Sequence, residues 1–130
     1  MAGVVAAKDP RGRFLMEYIL MAYVQESGWG SLTKAQQEQG MATYMAYTEE
    51  LAKAGVLKMN KRLGPSSAAT TVRMTSGKPQ VLDGPYAESK EQLGGYYIID
   101  VPDLDAAISW AKRCPAAGHG IVEVRALPAT

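Results

Sequence analysis

The apolar and polar positions alternate in a way that divides the chain into strands and helices. Met16–Val24 and residues 94–101 are apolar at nearly every position, so both faces of each strand are expected to be covered. Residues 56–63 carry lysines and an arginine, and Ile121–Leu127 alternates apolar and charged residues. The polarity of these two segments predicts that they form the edge strands of a sheet.

Two amphipathic helices are predicted between these strands. Thr33 begins the first, because Gln stands at its third position as in a capping box, and Gly55 ends it after residues 34–54. Its predicted core stripe is Met41, Tyr44, Met45, Thr48, Leu51 and Ala52. Asp103 caps the second helix, which Pro115 ends. Its predicted core stripe is Leu104, Ala107, Ile108 and Ala111.

Turn residues separate the remaining segments. Residues 25–32 contain two glycines and two serines and are predicted to form a loop. Thr70–Thr75 and residues 79–82 are short strand-like runs on either side of Ser-Gly-Lys, which predicts a β-hairpin. Residues 83–86, Asp-Gly-Pro-Tyr, are predicted to form a turn.

The order β-α-β, hairpin, β-α-β predicts an α+β fold of ferredoxin-like, split βαβ type with an inserted β-hairpin. Right-handed crossovers place both helices on one face of the sheet, with the first and third main strands at its centre. Both central strands are apolar on the other face as well, and a monomer rarely exposes so large a patch. We therefore expect a homodimer in which a second copy covers that face.

Composition and charge narrow the class of protein. The 130 residues, 47% of them apolar, suit one globular domain, predicted over residues 16–127 between a flexible extension at 1–15 and a tail at 128–130. A net charge of +1 disfavours nucleic acid as a partner. The single cysteine excludes an intrachain disulfide and favours the cytoplasm, and no apolar run is long enough for a membrane span.

Residues 83–115, DGPYAESKEQLGGYYIIDVPDLDAAISWAKRCP, resemble the DGPF-motif proteins of the YCII-related superfamily. MEYILMAY near the start, TEELAKAGVL and the closing VEVRAL are similar to other parts of that family. The resemblance implies a bacterial protein with a dimeric α+β barrel fold, no settled activity and relatives encoded beside sigma factors. Some YCII-type members act on small aromatic compounds through a His–Asp pair whose histidine lies near the first strand or helix. The only histidine here, His119, precedes the last strand, so that pair cannot be transferred.

Candidate catalytic residues are Asp83, Glu88 and His119. The Asp-Gly-Pro segment is accounted for by turn chemistry alone, although the same loop can present Asp83, Tyr86, Glu88 and Lys90 to a cleft. His119 lies between two glycines and is most simply an exposed loop residue. As a functional residue it would be a general base oriented by Asp83 or Glu88.

Further ligand-binding candidates lie outside this loop. Gly95 follows another glycine at the start of a central strand, which predicts a bulge or close backbone packing, or else room for a ligand. Tyr23 is expected either to line an aromatic pocket or to fill the core or an interface. Arg62 and Arg73 are expected either to pair with an anionic ligand or to be solvated on the strand surface. The predicted ligand-binding residues are Asp83, Gly84, Pro85, Tyr86, Lys90, Gly95, Tyr23 and Arg62. No nucleotide-binding or zinc motif is present, so neither a cofactor nor a metal is predicted.

Three functions remain open from the sequence. The first is a small-molecule-binding cytoplasmic domain with a pocket between helix, sheet and the DGPY loop, near the dimer interface. Its role would be regulatory and linked indirectly to a sigma factor. The second is an enzyme of the lyase or dehydrochlorinase type that uses Asp83, His119 and Glu88 as acid–base groups. The third is an interaction module that binds a protein through an edge strand or a helix.

Overall fold

A computed structural model describes residues 7–129 of the chain, and these residues form an α+β fold with antiparallel sheets. The elements in chain order are β1 Met16–Val24, α1 Glu26–Gly30, α2 Lys34–Lys53, β2 Leu57–Arg62, a 3-10 turn Ser66–Ala68, β3 Thr70–Thr75, β4 Lys78–Asp83, β5 Gln92–Val101, α3 Leu104–Arg113, α4 Ala116–His119 and β6 Ile121–Leu127.

The main sheet has four strands in the order β2-β5-β1-β6, and each neighbouring pair is antiparallel. The two strands that are apolar on both faces, β1 and β5, are therefore central, and the charged strands β2 and β6 form the edges, as predicted. This order, with α2 and α3 as crossovers, is the split βαβ topology. Strands β3 and β4 form a separate two-stranded sheet, the predicted hairpin.

Both long helices pack on the same face of the main sheet. Leu20 and Ile99 on the central strands are fully buried there, together with Leu51 of α2 and Ala107 of α3. Val122 and Val124 of β6 pack against this core, which confirms the predicted inward positions on that strand. We call this the helix-covered face.

The predicted ends of α2 are confirmed, but its predicted core stripe is only partly right. The Thr33 hydroxyl accepts from the Gln36 amide at 3.1 Å and the Gln36 side chain accepts from the Thr33 amide at 2.9 Å, completing the capping box. Gly55 has a φ of +73°, the left-handed conformation in which a C′ glycine ends a helix.

The buried stripe of α2 is rotated relative to the prediction. Tyr47 is buried because its hydroxyl donates to the Trp110 carbonyl at 2.7 Å and its ring packs edge-on against Tyr97. Met41, Met45 and Ala52 are exposed instead of buried. Spacing alone could not distinguish between these neighbouring stripes, because both recur at helical intervals.

The predicted start of α3 is confirmed, since the Asp103 carboxylate accepts from the Ala106 amide at 2.9 Å. Ala107 and Ala111 are buried as predicted. Leu104 is half exposed rather than buried, because it stands in the first turn at the margin of the sheet.

Two short helices were not predicted. Residues 25–32 contain α1 rather than only a loop, and α4 follows Pro115, where the sequence predicted an end of helix. Helices of five and four residues are too short to establish an apolar period, so hydrophobic patterning cannot reveal them.

Gly94 and Gly95 mark a bulge and a close backbone approach, as predicted. The register between β1 and β5 shifts between Ala22 and Tyr23, which leaves Gly94 as the extra residue. A Cβ atom on Gly95 would lie 2.8 Å from the Lys61 carbonyl oxygen, so β2 can approach only a glycine here. This glycine serves strand packing.

The opposite face of the main sheet, which we call the open face, is also apolar at its centre. Its apolar side chains on the central strands are Ile19, Met21, Tyr23, Tyr96 and Ile98, all half-buried within one chain. Charged side chains surround them: Glu17, Asp100, Lys58, Lys61, Glu123 and Arg125. The apolar residues on the two sides of β1 and β5 therefore meet different surroundings: helices cover one face, and solvent partly reaches the other.

Of the predicted flexible extension at 1–15, residues 1–6 lie outside the described residues. The remainder forms a small local turn, closed by an isolated antiparallel β-bridge between Lys8 and Phe14. Within the turn, the Asp9 carboxylate accepts hydrogen bonds from the backbone amides of Arg11 and Arg13.

Candidate functional site

Most of the predicted site residues lie at one end of the main sheet, which we call the hairpin end. Here Tyr23 near the end of β1 is opposite Leu93 and Ile121, and Arg62 at the end of β2 is opposite Gly95. The hairpin and the DGPY loop are inserted in the chain between β2 and β5 at this same end.

Residues 66–92, the insert, are held to the hairpin end by a small hydrogen-bond network. The Glu26 carboxylate accepts from the Ser66 amide and from the Ser66 hydroxyl, both at 2.9 Å. The Glu26 amide donates to the side-chain oxygen of Gln92 at 3.1 Å, and the Gln92 side chain donates to the Ser89 carbonyl at 2.7 Å. Helix α1, which the sequence did not predict, thus fixes both ends of the insert.

The DGPY segment performs the turn role that its residues favour. Asp83 is the last residue of β4, and Gly84 has a φ of +99°, which favours glycine. The Gly84 amide donates to the Ala69 carbonyl at 2.7 Å, and the Gly84 carbonyl accepts from the Thr71 hydroxyl at 2.8 Å. These bonds hold the base of the hairpin closed.

The polar side chains of this segment point into solvent within one chain. Tyr86 is 90% exposed, and Asp83, Pro85, Glu88 and Lys90 are also exposed. Neither of the two clefts described below includes any of them. Within one chain, the polar side chains of the loop therefore lie in solvent and outside both of these clefts.

The other ligand-binding candidates are divided between the two faces of the sheet. Tyr23 is on the open face, where its hydroxyl donates to Glu123 at 3.4 Å. Arg62 and Gly95 belong to the helix-covered face, and the Arg62 guanidinium lies 3.7 Å from the sulfur of Met41 on α2. Arg73 is on the hairpin and donates to Gln80 at 3.0 Å.

His119 contacts a tyrosine and not the predicted carboxylates. Its Nε2 atom lies 3.0 Å from the hydroxyl of Tyr44 on α2, with the two rings edge to face. Within residues 7–129, no hydrogen bond or ion pair joins His119 to Asp83 or Glu88. A general base oriented by one of those carboxylates is therefore not assembled within one chain.

Beneath this pair, ionisable groups that are held neutral by burial form part of the helix-covered core. Burial raises the pKa of Tyr44, and the neighbouring Cys114 and Tyr97 raise it further. Burial likewise raises the pKa of Tyr47 and of the Cys114 thiol. The neutral Tyr44 hydroxyl can donate a hydrogen bond to the Nε2 atom of His119 or accept one from it, depending on the tautomer of the ring.

Two clefts lie on the helix side of the molecule. The first, of about 350 Å³, lies between α2 and the end of α3, next to the Glu50–Arg113 ion pair. The second, of about 500 Å³, lies between α1, α2 and the end of β2 at the hairpin end. We call it the Arg62 cleft, and its lining is Trp29, Lys34, Gln37, Glu38, Met41, Ala42, Met45 and Arg62.

Comparison of the sequence with known proteins assigns the chain to a family. The model of the YCII-related domain matches residues 16–128, which include all six strands and the insert. The chain belongs to the YCII-related family. It is also similar to a protein of Rhizobium meliloti (strain 1021) described as uncharacterised, with 39% identity over 114 residues that cover 86% of this chain and 92% of that relative.

Within this YCII-related domain, the described residues contain no group of three or more His, Cys, Asp or Glu side chains placed to hold a metal ion. Over residues 7–129, no helix has both the length and the apolar character needed to cross a bilayer.

The sequence missed two residues that shape a cleft of this YCII-related domain. Trp29 and Lys34 line the Arg62 cleft. Of the predicted ligand-binding residues, Arg62 lines one of the two clefts described above. The pairing of Tyr44 with His119 joins residues 75 positions apart, and no local pattern could have revealed it.

Proposed function

We propose that this YCII-related protein binds a small organic anion in the Arg62 cleft and works as a two-fold symmetric dimer. The observation that carries the binding proposal is the cleft itself, in which an arginine and a lysine stand beside an indole ring and two methionines. Its volume of about 500 Å³ suits a small molecule. A regulatory role linked to a sigma factor, and a cytoplasmic location, rest on the family resemblance and composition.

The lining favours a carboxylate attached to an apolar body. The exposed guanidinium of Arg62 can hold both oxygens of a carboxylate, and Lys34 balances the one carboxylate of the lining, Glu38, so that the lining keeps a net positive charge. Trp29 and Met41 provide apolar surface, since Met41 is 37% exposed and its sulfur already contacts Arg62. A small aromatic or branched monocarboxylic acid meets both requirements.

The dimer proposal is supported by the open face. Five apolar side chains there are half-buried in one chain, although their neighbours on the same strands are buried in the core. Clusters of partly exposed apolar side chains mark interfaces when they form one continuous patch. Burying each Å² of such surface contributes roughly 25 cal/mol before the cost of association. Packing of two open faces would also produce the dimeric barrel that the resemblance implies.

Binding can be tested with phenylacetate as the probe, using the fluorescence of Trp29. The chain contains two tryptophans, so Trp110→Phe leaves Trp29 as the only reporter. We expect a saturable change in fluorescence at millimolar phenylacetate or below. Arg62→Ala should weaken this binding at least about tenfold, the effect of losing roughly 1.4 kcal/mol.

Two controls decide the interpretation of that titration. Lys61→Ala removes the neighbouring charge, which does not line the cleft, and should leave the affinity unchanged. Phenylacetamide has the same ring without the negative charge and should bind much more weakly. Equal binding of the acid and the amide, or no effect of Arg62→Ala, would contradict the proposed site.

Acid–base catalysis is a second candidate, and the Tyr44–His119 hydrogen bond is the observation that favours it. In the tautomer that carries its proton on Nε2, the tyrosine oxygen would accept from that N–H in the orienting role assigned to Asp83 or Glu88, and Nδ1 of the exposed His119 would be the base. Turnover of a small aromatic substrate should then be lost in His119→Ala and reduced in Tyr44→Phe. Full activity in His119→Ala would exclude this candidate.

A further inference from the structure

Helix α1 is too short, and too poor in helix-forming residues, to be stable by itself. Its sequence is Glu-Ser-Gly-Trp-Gly, which includes two glycines, and each of these five residues is at least partly exposed. An isolated helix needs about 12–15 residues to be even marginally stable in water. The position of α1 is therefore determined by the groups that contact it, and the loss of one contact favours a state in which the helix opens locally.

Helix α2 holds one side of α1 through Trp29. The Trp29 carbonyl accepts from the side chain of Gln37 at 3.1 Å. A Cβ atom on Gly40 would lie 2.9 Å from the Trp29 ring, so the indole lies against a position of α2 that carries no side chain. The same indole is part of the wall of the Arg62 cleft. This wall is therefore in place only while α1 keeps its position.

The insert holds the other side of α1 through Glu26, three residues before the tryptophan. The Glu26 carboxylate accepts from the amide and the hydroxyl of Ser66, and the Glu26 amide donates to the side chain of Gln92. Ser66 begins the insert and Gln92 ends it, so both of its ends depend on one residue of α1. A single short helix thus carries a wall of the cleft and the anchor of the insert.

The opposite wall of the cleft leads to the same anchor along the chain. Arg62 ends β2 and is followed four residues later by Ser66. Between them, the Leu63 amide donates at 2.9 Å to a carbonyl near the start of β5, which ties this segment to the sheet. A continuous path of contacts therefore runs from Trp29 through Glu26 and Ser66 to Arg62. The cleft is the gap between the two ends of that path.

We infer that α1 couples the Arg62 cleft to the insert, so that an organic anion bound between Trp29 and Arg62 orders the hairpin and the DGPY loop. This inference rests on the binding proposed above and adds regulation of the insert to it. The anion binds best while α1 holds the indole in place, and Glu26 anchors the insert only in that same state. A ligand that prefers one of two states shifts the population toward it. Binding therefore lowers the fraction of molecules in which α1 and the insert are open.

Direct contact between the anion and the insert does not account for such an effect. All the residues that line the cleft belong to the chain from Trp29 to Arg62, before the insert begins. A tightening of residues 66–92 on binding therefore has to pass through the protein. An exposed loop whose order depends on a bound anion suits the regulatory role proposed above.

Amide hydrogen exchange, measured by mass spectrometry with and without saturating phenylacetate, tests the coupling in the wild-type protein. We expect phenylacetate to slow exchange in peptides from residues 66–92 by at least about fivefold, the low end of the range for coupled sites. The reason is that these amides exchange when the insert opens, and the bound anion opposes the opening of α1 that releases it. Peptides that cover α1 should show the same protection.

Two carboxylates provide a matched pair of variants. Glu26→Ala and Glu49→Ala make the same chemical change on α1 and on α2, in both cases outside the lining of the cleft. In Glu26→Ala, the slowing of the insert by phenylacetate should fall below about twofold, because the path through Ser66 is broken. Linkage is reciprocal, so this variant should also bind phenylacetate at least about twofold more weakly, as measured by Trp29 fluorescence. Glu49→Ala should keep both the slowing and the affinity.

The outcomes separate this inference from the proposal beneath it. Absence of saturable phenylacetate binding would end both. Binding that leaves exchange of the wild-type insert unchanged would end the coupling and leave the binding site standing. Slowing of equal size in Glu26→Ala would show that the anion reaches the insert by another route and would also overturn the inference. An unchanged far-UV circular dichroism spectrum of each variant ensures that a loss of coupling is not a loss of fold.

Discussion

The two faces of the main sheet are built from alternating residues of the same two strands, yet they differ in how well they are covered. Leu20 and Ile99 are fully buried beneath the helices, whereas Ile19 and Ile98 beside them are half-buried on the open face. The apolar character of the two pairs is the same. The comparison teaches that the sheet is apolar on both faces at its centre, whereas the helices of one chain cover only one of them.

The largest expected effect comes from trimming one isoleucine on each face. Ile99→Ala leaves a cavity in a fully closed core and should lower the free energy of unfolding by about 2–5 kcal/mol. It should leave the dimer dissociation constant nearly unchanged. Ile98→Ala should do the reverse, with a smaller loss of chain stability and a weaker dimer. Chemical denaturation and sedimentation measure the two quantities, and identical behaviour of the variants would remove the distinction between the faces.

A smaller effect is expected from loosening the insert at the hairpin end of the sheet. Glu26→Ala removes the acceptor of two hydrogen bonds from Ser66, a local loss of about 1–3 kcal/mol. Hydrogen exchange should become faster in β3 and β4 and stay slow in β1 and β5. The control is Glu49→Ala, which removes an exposed carboxylate on α2. It should leave hydrogen exchange unchanged in both pairs of strands. Equal exchange in both variants would show that Glu26 does not fix the insert.

The smallest effect is a gradual loss of stability in alkali that belongs to the helix-covered face. Burial raises the pKa of Cys114, Tyr44 and Tyr47 above the ordinary values of 9.0 and 10.0. The unfolded chain therefore releases these protons first as the pH rises. Their contribution is complete below pH 9.0 and is lost as the pH climbs past 9.0 and then 10.0. Denaturation midpoints that stay constant across this range would contradict buried, neutral phenols.

Much of the fold could be predicted because its signals are local and repeated. Two-sided apolar runs identified β1 and β5 as central strands, and charges placed β2 and β6 at the edges. Thr33 and Asp103 capped the two long helices as their residue types predict. The hairpin followed from its turn, in which Ser76 and Gly77 both have positive φ.

The errors have a common physical cause. Helices α1 and α4 are single turns without a period, and the stripe of α2 was misplaced by competition between two apolar rows. Tyr47 is buried because Trp110 and Tyr97, distant in sequence, receive it. Contacts of that kind depend on tertiary packing and leave no trace in local spacing.

The arrangement of the candidate site depends on the fold and could not be predicted from the sequence alone. Strand order brings Tyr23, Arg62 and Gly95 to the hairpin end. The sequence could not say that they face opposite sides, because the bulge at Gly94 and the register of β2 determine their directions. Nor could it pair His119 with Tyr44, since that contact depends on where α4 lies against α2.

The proposal that a second copy covers the open face is tested most directly by the mass of the wild-type protein in solution. Sedimentation equilibrium at micromolar concentration should give twice the 14.0 kDa of a single chain. A mass of 14.0 kDa that persists as the concentration rises would show that the open face is stable in water and would contradict the account.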